Sequence, residues 1–120
     1  MAKRVLVVDD QPLLRDVQVL LLRDAGYSAT ALPGAREALA RLPELRPDLI
    51  VLDLSMPDMD GYQFLRHLRA DELWNDLPVI VATGLTPEEI QPIAYECDVL
   101  AKPFSDVALL SRVRRLIGEA

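Results

Sequence analysis

Val51-Leu52-Asp53-Leu54-Ser55-Met56-Pro57-Asp58-Met59-Asp60-Gly61 runs from an apolar segment straight into an acidic, turn-forming stretch. The apolar part begins at Leu49-Ile50 and shows no period-two alternation, so it reads as a strand covered on both faces. Asp53 stands at the end of that strand, and Pro57 with the segment 58–61 makes the next connection a tight turn. An aspartate after a strand is most often a loop cap. Whether Asp53 is more than that depends on what the other strands carry to the same edge.

Three further apolar runs end in polar residues. Val5-Leu6-Val7-Val8 ends in Asp9-Asp10, Val79-Ile80-Val81-Ala82 ends in Thr83-Gly84, and Val99-Leu100-Ala101 runs into Lys102-Pro103-Phe104; Tyr27 to Leu32 forms a weaker strand. Between them lie helical patterns. Pro12 suits a first turn, with Leu14, Val17, Leu21 and Ala25 recurring at helical spacing and Gly26 just past the end. A second helix carries Ala35, Ala38, Leu39 and Leu42 and stops before Pro43 or soon after it. A third, capped by Asp60, turns Phe64, Leu65 and Leu68 inward and leaves the lone histidine, His67, in solvent. Thr86-Pro87-Glu88-Glu89 has the signals of a fourth start, but Pro92 falls inside it, so that helix is expected to be short. Ser105 caps a last helix with Leu109, Leu110, Val113, Leu116 and Ile117 on one side; Arg112, Arg114 and Arg115 read as a solvated face.

Five strands alternating with five helices predict an α/β fold, a doubly wound parallel five-stranded sheet with helices on both faces and right-handed crossovers. Such sheets bind ligands outside the carboxyl ends of their strands, where the winding reverses; for the order 2-1-3-4-5 that point lies between strands one and three. Asp9, Asp10 and Asp53 end those two strands, with Thr83 and Lys102 on the same edge.

Composition narrows the class. At 120 residues the chain has the size of one domain, able to bury roughly two thirds of its unfolded surface. The formal charge of -6 argues against a direct nucleic-acid or anionic-membrane surface, because both need clustered positive charge. One cysteine, Cys97, forms no internal disulfide and reads as packing filler; no apolar run reaches the length of a signal core or membrane span, so a cytoplasmic protein is expected.

Two carboxylates a few ångströms apart repel by about 4 kcal/mol at an effective dielectric of 20, so three clustered acids call for a counter-charge. All-oxygen ligands suit Mg2+ better than zinc. Mg2+ sites of this kind share the ion with a phosphoryl group, which Lys102 can pair with and Thr83 can hydrogen-bond. Phosphoryl transfer asks mainly for alignment and charge neutralisation, so an ionised Asp53 serves as acceptor without a separate base.

With Val-Val-Asp9-Asp10, the segment 53–61, Thr83 and Lys102-Pro103-Phe104 together, the whole chain resembles a response-regulator receiver domain, the phosphoacceptor module of two-component signalling. The resemblance implies a flavodoxin-like (βα)5 fold over residues 1–120 as a single domain with no output domain in this chain. It implies phosphorylation on Asp53, Mg2+ ligation by Asp10, Asp53 and the Ser55 backbone carbonyl, and help from Asp9 through water. Thr83 and Lys102 would bind the phosphoryl group. The donor would be a sensor histidine kinase or histidine phosphotransfer protein, and the output an altered downstream contact, which includes a phosphorylation-dependent homodimer. The module would catalyse its own phosphorylation and slow dephosphorylation but turn over no external substrate.

The chain departs from that family on one side. Val99 stands three residues before Lys102, where receivers usually carry Tyr or Phe; the interval from Thr83 to Lys102 is short, and Tyr95 replaces a common glycine. The phosphate chemistry is expected to survive, with output coupled unconventionally. Leu85 and Ser55 flank the path of the attacking water, and an apolar Leu85 cannot orient it, so slow hydrolysis is expected. Val99 also keeps open a phosphorylation-independent interaction domain. A Mg2+-dependent phosphatase with an aspartate nucleophile ranks last, because Ser55 stands where its general acid is needed.

Overall fold

In a computed structural model of the chain, the structure describes residues 2–54, 61–86, 88–92 and 97–120. Five strands, β1 (Arg4–Val8), β2 (Ser28–Leu32), β3 (Leu49–Asp53), β4 (Val79–Thr83) and β5 (Asp98–Ala101), form one sheet in the order β2-β1-β3-β4-β5, with every pairing parallel. The described helices are α1 (Pro12–Asp24), α2 (Ala35–Leu45), α3 (Gly61–Ala70) and α4 (Asp106–Ile117).

The continuous apolar runs conceal an alternation that only the two helical layers reveal. Leu6, Val8, Ile50, Leu52, Val79 and Val81 join α2 and α3 residues such as Leu42, Phe64 and Leu68 in one core. Their neighbours Val5, Val7, Leu49, Val51, Ile80 and Ala82 join Leu22, Leu109 and Val113 of α1 and α4 in the other. Since successive strand residues point to opposite faces, both sets must be apolar once helices cover both sides.

Several expectations hold locally. Pro12 opens α1, α2 runs two residues past Pro43, and the Ser105 hydroxyl accepts the Ala108 N–H at 3.1 Å to cap α4. The expected Asp60 cap lies outside the described residues, as do Ser55, Pro87 and Tyr95.

Three expectations need correction. On α1, Leu21 and Ala25 pack against the core as expected and Leu14 is half-buried, but Val17 is exposed, and the buried residues are Gln18, Val19 and Leu22. Burial there is chosen by the sheet and β2 beneath the helix, and the apolar stripe in the sequence is broader than the buried one. Arg112 and Arg115 do not form a simple solvated face: both pair with Asp98 at the start of β5, and Arg112 also donates to the Val99 carbonyl at 2.9 Å. Finally, among the described residues no helix lies between β4 and β5, so four helices stand where five were expected. The helix-start signals at Thr86 are spent on a turn: the Thr86 N–H and hydroxyl both donate to the Glu89 carboxylate, at 3.2 and 2.8 Å, and Glu89 N–H returns to the Thr86 carbonyl at 3.0 Å. Those bonds favour the charged form and hold the Glu89 carboxyl below its ordinary range. Ile90 is then buried beside α3, and Pro92 lacks the N–H that a continuing helix would need.

Candidate functional site

The carboxyl edge of β1 and β3 brings three acids together. Asp9 follows β1, Asp10 follows Asp9, and Asp53 is the last residue of β3; one carboxylate oxygen from each lies within 4.8 Å of the others. Parallel pairing places Val8 opposite Leu52, so the residues that leave these strands emerge side by side. Asp9 is 2% exposed, which makes its hydrogen bonds decisive. Its Oδ1 accepts the Gln11 N–H at 2.9 Å, and its Oδ2 faces the Lys102 ammonium at 3.4 Å. Lys102 also reaches Asp53 Oδ2 at 3.5 Å. Arg15 is nearby, but its guanidinium donates to the Asp9 backbone carbonyl at 3.0 Å, not to the carboxylate.

Thr83 and Lys102 arrive together because β4 and β5 end together. Lys102 N–H donates to the Thr83 carbonyl at 2.8 Å, and the Lys102–Pro103 peptide is cis. Thr83 is buried, and its Oγ1 accepts the Leu85 N–H at 3.0 Å, which leaves the hydroxyl proton available for donation. Leu85 is half-buried against the α2–α3 core. Ala82 of β4 pairs with Asp53, so Thr83 lies one residue beyond it on the adjacent strand.

Close backbone contact fixes the far side of the site. Gly61 N–H donates to the Leu54 carbonyl at 2.6 Å, and a Cβ at this position would meet Leu54 Cα at 2.5 Å and the Asp53 carbonyl oxygen at 2.7 Å. Only glycine lets α3 begin against the end of β3.

The donor set suits a hard divalent cation. Octahedral Mg2+ holds oxygens at about 2.1 Å, and carboxylate oxygens spaced like these need little movement to share it. Three carboxyl groups drawn together around the Lys102 ammonium offer the hard oxygen donors that a divalent ion takes. His67 is exposed, Cys97 is half-buried beside Arg69, and neither reaches this edge.

Gln18 escaped the sequence reading. Its side chain is 2% exposed on α1, and Nε2 lies 3.5 Å from Asp9 Oδ2 and 3.3 Å from the Leu14 carbonyl. The available signal was a polar residue at four-residue spacing between Leu14, which is half-buried, and Leu22, which is buried.

No helix among the described residues is long and apolar enough to cross a membrane. The chain matches the family model described as "Response regulator receiver domain" over residues 5–114. It is 37% identical over 117 residues to the DNA-binding response regulator MtrA of Mycolicibacterium smegmatis, a match covering 95% of this chain and 50% of that protein. The chain thus spans about half the length of the curated relatives it matches. Among solved structures, chemotaxis protein CheY4 of Vibrio cholerae superposes with a TM-score of 0.90 at 31% identity, covering 98% of this chain and 100% of that one. The receiver domain of sensor histidine kinase PA1611 from Pseudomonas aeruginosa, solved with a magnesium ion coordinated in its active-site cleft, superposes at 0.86 with 29% identity, covering 99% and 100%. With a family model spanning nearly all of the sheet and helices, this chain belongs to the response regulator receiver domain family of two-component signalling.

Proposed function

We propose that Asp53 accepts a phosphoryl group from a phosphohistidine on a sensor histidine kinase or histidine phosphotransfer protein, in a Mg2+-dependent reaction. The carrying observation is Lys102 bridging Asp9 and Asp53 within a cluster of three acids at the carboxyl edge of the sheet. An Asp53 carboxylate oxygen forms the new P–O bond as the P–N bond to the donor imidazole breaks, and that imidazole leaves with its electron pair. Asp10, Asp53 and the Ser55 carbonyl would hold the cation, with Asp9 helping through water, and the bound ion would offset charge on the phosphoryl oxygens. Lys102 exchanges a carboxylate for a phosphoryl oxygen, and Thr83 donates its hydroxyl proton to another. The magnesium ion coordinated in the active-site cleft of the related PA1611 receiver supports a Mg2+ site in this fold.

Residues 1–120 act as one receiver unit, cytoplasmic and without an external substrate to turn over. Exposed Leu13, Val17 and Leu20 along α1, next to the site, offer an apolar surface to the donor protein. Output passes through a downstream partner, an attached domain or a second copy. The half-buried Val99 and the turn at Thr86 favour a coupling that does not depend on an aromatic side chain at that position.

Intact mass after incubation with Mg2+ and acetyl phosphate tests the reading. One phosphate is expected on the wild type and none on Asp53→Asn or in excess chelator. A wild type that stays unmodified, with a kinase as well as with acetyl phosphate, transfers the case to a phosphorylation-independent interaction domain. Following the adduct after donor removal tests Leu85: its loss should be slower in the wild type than in Leu85→Glu.

A further inference from the structure

We propose that Gln18 is a positioning residue of the acid site, aiming Asp9 Oδ2 at the cation. The inference rests on the assignment of Asp9 to that site. Among the described residues two groups approach this oxygen, Lys102 Nζ at 3.4 Å and Gln18 Nε2 at 3.5 Å, while Oδ1 is already held by the Gln11 N–H. Lys102 also serves Asp53, so it is the partner that must move when a phosphoryl group arrives. Gln18 is anchored on a rigid helix, with a second bond to the Leu14 carbonyl at 3.3 Å, and does not have to move. It keeps the Asp9 carboxylate from rotating as Lys102 changes partner.

The orphaned half of the amide points the same way. Gln18 Oε1 is buried with no hydrogen-bond partner among the described residues, on the helix face that also buries Val19 and Leu22. Turning the amide over would relieve nothing, because it would set Oε1 against the Asp9 carboxylate. A buried acceptor without a donor costs stability, and a sequence that keeps one beside a cluster of acids is trading stability for what the other end of the amide does.

Gln18→Met replaces the amide with an unbranched apolar side chain of similar length, and Gln18→Leu is the second variant should the first aggregate. Mn2+ serves as the probe, with free ion read by electron paramagnetic resonance, alongside thermal unfolding without metal. The expected result is opposite motion: Tm rises by about 3 °C and Mn2+ affinity falls roughly tenfold, the scale of losing an outer hydrogen bond to a metal ligand. Affinity within twofold of the wild type overturns the proposal, and so does a parallel fall of Tm and affinity, which marks Gln18 as structural. A wild type that binds no Mn2+ overturns both this proposal and the assignment of the acid site.

Discussion

Arg69, at the amino-end edge of the sheet, and Lys102, at the carboxyl-end edge, are both partly buried cations with contrasting surroundings. Arg69 fans across the carbonyls of Trp74, Asn75 and Leu77 at 3.4, 3.0 and 3.0 Å, neutral acceptors in the segment that leads into β4. Lys102 sits between two carboxylates of a three-acid cluster at 3.4 and 3.5 Å, longer than the roughly 2.8 Å of a well-formed charge-assisted bond. The rest of each edge follows suit. At the amino ends, Arg4 N–H bonds Asp48 Oδ2 at 2.7 Å, Tyr27 hydroxyl donates to the Gly118 carbonyl at 2.6 Å, and Asp98 is held by Arg112 and Arg115. At the carboxyl ends stand like charges, loose contacts and the orphaned Gln18 oxygen. One edge is closed so that the other can keep groups poised to change partner.

That contrast makes the two edges separable by mutation. The largest effect is expected from Gly61→Ala, where a methyl group has no room between Leu54 and Asp53. It should destabilise by about 3 kcal/mol in urea unfolding and weaken Mn2+ binding as well, because the displaced backbone carries Asp53. Retained stability and metal affinity would show that the end of β3 is not a rigid support for Asp53. Arg69→Ala comes next, at about 2 kcal/mol for carbonyls left without their donor, with phosphorylation by acetyl phosphate unchanged. A fall in phosphorylation at matched folded fraction would mean that the edges are coupled.

Tyr27→Phe should cost least, about 1 kcal/mol for the lost bond to Gly118. Its pH dependence sharpens the comparison. Burial raises the Tyr27 phenol above its ordinary value, Glu119 adds to the rise and Arg114 opposes it. The folded state therefore holds this proton more tightly than the unfolded chain. The contribution is complete below the unfolded value near about pH 10 and is lost as pH climbs through the raised folded value. Denaturation followed between pH 8 and 11 should show a steeper alkaline loss in the wild type than in Tyr27→Phe; equal slopes would remove Tyr27 as the cause.

Much of the site was legible because its information is local. An apolar run specifies a strand, the polar residue that ends it specifies what arrives at the edge, and the alternation of strands with helices specifies a parallel sheet; Asp9, Asp10, Asp53, Thr83 and Lys102 follow from those three facts. The close contact of Gly61 with Leu54 was not legible in the sequence. Other features depended on partners distant in sequence. Which stripe of α1 faces inward, and hence that Gln18 rather than Val17 is buried beside Asp9, was set by how the helix lies on the sheet. Arg112 and Arg115 looked like solvated charges until β5 carried Asp98 beneath them, 14 and 17 residues away in sequence. The strong helix-start signals at Thr86 yielded to the burial of Ile90 and to Pro92, since a few tenths of a kcal/mol per residue of local propensity are outweighed by the burial of one large apolar side chain.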